Sequence, residues 1–161
     1  GRVPIVAAVE GWCVGAGLSL ACACDTVVAA EDARFMAGFG KVGLMADLGL
    51  PFTLPARIGA GRARQMFLYG TQLNAPEAER IGVVDRVVPH GAALDAAMEC
   101  ARFLAAQAGG PIAMTKAILA EGLDRALESE RHFQTALFLG EEHAEGKAAF
   151  LAKREPEFGR R

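Results

Sequence analysis

Short apolar runs punctuated by glycine open the chain, and a long stretch of helical periodicity closes it. Val3 to Val9 (VPIVAAV) is a continuous apolar run of strand length, which suits a strand buried on both faces of a parallel sheet. Gly11 to Gly15 turns the chain. AGLSLACAC, beginning at Ala16, reads as a short helix, and TVVAA (Thr26 to Ala30) is β-branched enough to form the next strand. These pieces make a βαβ unit with an expected right-handed crossover. A short extended piece is expected around Asp32 to Gly38, followed by a loop, GLMADLG, that leads into a helix. GRARQMFLYG and APEAERIG read as helices, Val83 to Val88 (VVDRVV) as one more strand, and nearly everything from Gly91 onward as helix.

That pattern yields only three or four strands, and a central buried strand needs neighbours on both sides. The chain also opens at Gly1, just before a core strand, so these residues are expected to be the later part of a longer fold.

Composition narrows the classes. The chain has 161 residues, of which 52% are hydrophobic, enough to fill the core of one domain and to exclude disorder. Its 17 basic and 19 acidic residues give a formal net charge of −2, so no broad positive field exists for nucleic acid or anionic lipid. An anionic ligand must be held locally. The apolar opening resembles a signal or anchor, but Glu10 and the glycines after it interrupt the run, and neither a membrane span nor a targeting segment is expected. Cys13, Cys22, Cys24 and Cys100 lack metal-site spacing and read as reduced, buried side chains. His90, His132 and His143 show no triad or metal spacing and read as surface or capping groups; no metal is expected.

The glycine turn is where chemistry enters. A helix that starts at a Gly-rich turn after a buried strand points free backbone N–H groups, with the positive end of its dipole, into a sheltered space. Gly15-Ala16-Gly17 lacks the third glycine of a dinucleotide fingerprint, and tight strand-to-helix packing is the better account of a lone Gly-x-Gly.

Three stretches, PIVAAVEGWCVGAGLSLACACDTVVAAEDARF, GKVGLMADLGLPFTLPARIGAGRARQMFLYGTQLNAPEAERIGVVDRVVP and EGKAAFLAKREPEF, occur in order and in one register. Together they resemble the enoyl-CoA hydratase/isomerase (crotonase) superfamily from Arg2 to Phe158, over the later part, roughly two-thirds, of the family's chain. The resemblance implies an α/β fold: a crotonase-like spiral of ββα units over residues 1–90, carrying the oxyanion-site helix and catalytic loop, and a helical oligomerisation region over residues 91–161. It implies an acyl-CoA thioester as substrate, no cofactor beyond the CoA moiety, a homotrimer or dimer of trimers, and a cytoplasmic location.

The resemblance also assigns roles. The thioester oxygen would receive two backbone N–H bonds, one from Ala16, where the family usually has glycine, and one from a segment upstream of Gly1. Loss of such a donor typically costs about 2.7–4 kcal/mol of transition-state stabilisation. The two carboxylates of the family's hydratases fall at Ser19 and Phe39, neither of which exchanges protons near neutral pH, and this argues against hydration. Asp47 falls where family isomerases carry a catalytic acid. Its apolar neighbours Leu44, Met45, Leu48, Leu50 and Phe52 disfavour a charged carboxylate and so favour a base that holds its proton well.

One carboxylate suffices to shift a double bond, removing a proton and returning it at another carbon through an enolate. Asp47 is alternatively an N-cap for the next helix, or a nucleophile as in dehalogenase-like relatives, which surround the substrate with aromatic residues. A hydratase with atypical acid and base residues, and a non-catalytic acyl-CoA-binding protein, stand as the other functional readings. Phe150 and Lys153 match family positions near the CoA adenine and phosphate, and their spacing puts both on one helix face, where an ordinary amphipathic helix explains them as well. Glu10 reads as structural and Lys116 as solvated.

Overall fold

The computed structural model describes residues 1–159. Two small sheets share one core. In the first, β1 (Val6–Val9), β3 (Thr26–Ala30) and β6 (Arg86–Val88) run parallel in the order β1-β3-β6. In the second, β2 (Trp12–Val14) pairs in parallel with β4 (Arg34–Met36), which pairs antiparallel with β5 (Leu73–Asn74). Helix α1 (Ala16–Ala23) links β2 to β3, and α2 (Leu50–Ile58), α3 (Ala60–Tyr69) and α4 (Ala75–Ile81) follow a short 3₁₀ turn over Phe39–Val42. The chain then continues through α5 (Ala93–Ala105), α6 (Gly109–Leu119), α7 (Leu123–Phe138) and α8 (Glu141–Leu151).

The strand count is higher than the apolar pattern foretold, and the reasons are local. β2 lies inside the stretch read as a turn; it is only three residues long and its partner β4 is distant in sequence, so no alternation betrays it. β1 is shorter than Val3–Val9 because Pro4 has no N–H to give and the Ile5 N–H goes to the Asp25 carboxylate, 2.7 Å away. It is also an edge strand of the described sheet, with Ala8 exposed, rather than one buried on both faces. The run read as a strand from Val83 contributes only Arg86–Val88, since the Val83 and Val84 N–H groups close α4 by bonding to Ala78 O.

Elsewhere sequence and structure agree closely. Val27, Val28, Ala29 and Ala30 of β3 are fully buried, as befits a central strand of β-branched and small residues. Phe35, Leu18, Leu50, Leu54 and Met66 are the largest side chains closed off beneath it. Helix α4 is started by a capping box: Asn74 Oδ1 accepts the Glu77 N–H at 2.8 Å and Glu77 Oε2 accepts the Asn74 N–H at 3.0 Å. Arg57 is a tie between layers, donating to Cys22 O, Cys24 O and Asp85, while Asp85 also accepts the Val27 N–H at 2.7 Å. Helix α5 packs on the first sheet, with Ala93, Ala96 and Ala97 against Val28 and Val88.

Helix α8 meets the 3₁₀ turn backbone to backbone. A Cβ at Gly146 would stand 2.6 Å from Val42 C, and one at Gly43 2.5 Å from Glu142 C and O, so the two glycines interlock. His143 fastens the same contact, its Nδ1 lying 2.8 Å from Val42 O and its ring 4.5 Å from that of Phe138.

Candidate active site

The glycine turn delivers the expected helix start. Gly15 takes φ 56° and ψ −121°, a conformation open to glycine, and its N–H bonds to Met36 O at 3.1 Å. Ala16 then begins α1 with helical angles, so the unusual backbone falls on Gly15 and alanine is tolerated beside it. The N–H groups of Ala16, Gly17 and Leu18 have no acceptor within the helix, since the first intrahelical bond runs from Ser19 N to Gly15 O. Among the described residues this helix start is open rather than sheltered: Ala16 and Gly17 are exposed, and Trp12 beside them is 66% exposed.

The two side chains expected in place of the hydratase acids, Ser19 and Phe39, are sealed. Ser19 is fully buried and donates its hydroxyl to Gly15 O at 3.2 Å. Phe39 is buried, and its ring tip lies 4.0 Å from where a Gly15 Cβ would be. Neither side chain offers a titratable group.

Asp47 sits in the loop between the 3₁₀ turn and α2, half-buried. Its side chain caps no helix: the N-cap of α2 is Gly49, and Asp47 contributes only its backbone oxygen, to the Leu50 N–H. Instead Oδ2 accepts a hydrogen bond from Gln134 Nε2 at 2.8 Å, and Oδ1 is buried without a partner. Leu48 (φ 53°) and Gly49 (φ 79°) follow in left-handed conformations, and the buried Glu130 accepts the Gly49 N–H at 3.0 Å. Gln134 and Glu130, both on α7, escaped the sequence reading; they lie 87 and 81 positions from the groups they hold, and no local pattern marks such a contact.

Among the described residues, neither Ala16 nor Asp47 lines the two hollows of greatest volume found. A hollow of about 450 Å³ lies between α1, α2 and α6, bordered by Cys24, Phe52, Arg57 and Lys116, and one of about 560 Å³ lies by α7, α8 and Glu157. Phe39 packs under Gly15, and its carbonyl accepts the Leu44 N–H at 3.2 Å.

The C-terminal pair is arranged differently from the expectation. Helix α8 ends at Leu151, so Phe150 and Lys153 do not share a helix face. Lys153 takes φ 53° and closes the helix, with Lys153 N bonded to Phe150 O and Arg154 N to Ala149 O. Both side chains are exposed. Lys116, read as solvated, is instead largely buried and paired with Asp25. Glu10 is structural as expected, accepting the Gly91 and Ala93 N–H groups at the start of α5.

Glu10, Asp32 and His90 also bring potential ligand atoms within 4.8 Å of one another, but all three are exposed, and Asp32 is already paired with His90 at 3.0 Å, a contact that raises the imidazole pKa. Burial pushes the Cys13 thiol up to about 11 and Cys22 up to about 12, which keeps both in the unreactive thiol form.

The enoyl-CoA hydratase/isomerase family model matches residues 1–161, and the chain belongs to that family. It is 37% identical over 159 residues to the 1,2-epoxyphenylacetyl-CoA isomerase of Escherichia coli K12, a match that covers 96% of this chain and 61% of that protein. The crystal structure of an enoyl-CoA hydratase from Mycobacterium avium subsp. paratuberculosis K-10 superposes with a TM-score of 0.91 at 36% identity, covering 99% of this chain and 66% of that one. A carnitinyl-CoA hydratase from Mycobacterium avium gives 0.92 at 30% identity, covering 99% and 64%. The fold is therefore the crotonase fold, and the chain spans just under two-thirds of the length of these relatives. Among the described residues no helix is long and apolar enough to cross a membrane.

Proposed function

We propose that this chain carries the proton-transfer part of an acyl-CoA isomerase, in which Asp47 removes a proton from the acyl chain and returns it at another carbon. The observation that carries this reading is the state of the three candidate positions. Ser19 and Phe39 are buried and hold no exchangeable acid, whereas Asp47 has a carboxylate with one oxygen bonded to Gln134 and the other buried without a partner. A base needs a free lone pair on a group of fixed orientation. The Ala16 N–H, at the start of α1, would donate to the thioester oxygen and stabilise the enolate that forms between the two proton transfers. The likeness to a 1,2-epoxyphenylacetyl-CoA isomerase supports an isomerase reading.

The partner is accordingly an acyl-CoA thioester. The second oxyanion donor belongs, in this proposal, to the part of the family's length outside these residues. Exposed Phe133, Phe138 and Leu139 on and beyond α7, with Met114 and Ile118 on α6, supply apolar surface for assembly into a homotrimer or a dimer of trimers. Phe150 and Lys153, exposed at the end of α8, remain available to the CoA adenine and phosphate.

The test is Asp47→Asn in the full natural chain. Conversion of a 3-enoyl-CoA to its 2-enoyl isomer should be abolished while CoA-ester binding stays within a few-fold. Full retained turnover would refute the assignment. A wild-type protein that binds acyl-CoA yet exchanges no solvent deuterium into its α-carbon would instead be a binder without turnover.

A further inference from the structure

We infer that Gln134 of α7 is the positioning residue that sets Asp47 for proton transfer, an inference that rests on the isomerase reading above. One side-chain amide makes three bonds to the loop. Its Oε1 accepts the Met45 N–H at 3.3 Å, and its Nε2 donates to Met45 O at 3.3 Å and to Asp47 Oδ2 at 2.8 Å. The amide orientation follows from chemistry, because only the NH₂ end attracts a carboxylate.

Both polar backbone groups of Met45 and one oxygen of Asp47 are thereby fixed from a single point. One turn earlier on the same helix, Glu130 takes the Gly49 N–H at 3.0 Å. Helix α7 thus grips the loop on both sides of Leu48, whose left-handed φ of 53° needs such external support.

The effect on Asp47 is selective. A carboxylate has two equivalent oxygens, and an unrestrained one turns either toward the substrate. Here a charge-assisted bond engages Oδ2 and leaves Oδ1 as the single unpartnered oxygen. The proton acceptor is therefore chosen by Gln134, and the entropy of orienting it is removed before substrate arrives. Gln134 touches no reacting atom in this scheme and acts through Asp47 alone.

The experiment compares Gln134→Glu and Gln134→Met with the wild type and with Asp47→Asn, all in the full natural chain, for steady-state isomerisation of a 3-enoyl-CoA. Gln134→Glu keeps the side chain's shape and the acceptor for Met45 N–H but replaces the donor by a like charge; Gln134→Met removes all three bonds. Both should lower kcat by about 10- to 100-fold, the scale expected when a catalytic group is misplaced by about an ångström, with KM unchanged within about threefold.

A kcat within about twofold of wild type in both variants would overturn the inference, as would a loss expressed wholly in KM. Asp47→Asn retaining full activity would sink the isomerase reading itself. An inactive Asp47→Asn beside a fully active Gln134→Glu would sink only the positioning role. Thermal melting guards against misfolding: the double variant Asp47→Asn with Gln134→Glu re-creates a donor–acceptor pair and should recover stability lost in Gln134→Glu. No recovery would overturn the direct pairing.

Discussion

Replacing Gly146 by alanine is the sharpest probe of how α8 is seated. The added methyl would stand 2.6 Å from Val42 C, 2.7 Å from its Cα and 3.0 Å from its O, all backbone atoms with no rotamer to yield. Carbon atoms rest about 3.5–4.0 Å apart, so α8 must retreat by about 1 Å or the turn must bend. Overpacking of this kind costs about 1–3 kcal/mol, against which alanine gains about 1 kcal/mol of helix propensity.

Gly61 in α3 supplies the control. Nothing lies within 4 Å of its would-be Cβ, so Gly61→Ala, at the second residue of α3, meets no clash and should gain up to about 1 kcal/mol from propensity. Gly61→Ala, in a first turn, gains no more propensity than mid-helix Gly146→Ala, so a shortfall of Gly146→Ala against it reports the clash. Urea or thermal unfolding at matched protein concentration should place Gly146→Ala about 1–3 kcal/mol below Gly61→Ala, a separation of roughly 2–12 °C in Tm at this chain length. Amide exchange at residues 142–146 should rise at the same time, as the His143 bond to Val42 loosens. Equal stabilisation by the two substitutions would show that α8 does not lie against the 3₁₀ turn at all.

Two further outcomes follow from the ion pairs. Arg57→Met should destabilise by about 2 kcal/mol in urea titration, because the Cys22 and Cys24 carbonyls lose their donor and Asp85 its partner; a change under about 0.5 kcal/mol would show that water replaces the guanidinium freely. Glu145 is held down to about 2 by Arg154 and by the Glu157 N–H. Since its folded pKa lies below its unfolded one, the docking of residues 154–157 is favoured above about pH 4.5 and is lost as pH falls through about 2, which an NMR titration of the Glu145 carboxyl would show directly.

How much of this could be read from the sequence depended on how local the cause was. The β-branched run Thr26–Ala30 and the glycine turn before α1 carry their own signals, and both elements lie where they were expected. Trp12–Val14 forms a strand only because Arg34–Met36 pairs with it, and three residues are too few to show alternation. Helical spacing from Phe150 to Lys153 was misleading because the chain leaves the helix at Leu151, a stop set by a left-handed lysine where glycine is the usual cue. Lys116 looked solvated on its own helix but is half-buried and paired with Asp25, 91 positions away. The role expected of Asp47 came from family likeness, while its actual partner, Gln134, is visible only in three dimensions.

The brace from α7 has a bearing on biosynthesis. During translation the loop around Asp47 leaves the ribosome well before Glu130 and Gln134 exist, so a nascent chain can complete both small sheets while that loop still lacks its clamp. The fixed placement of Asp47 is conferred late, by the docking of a distant helix.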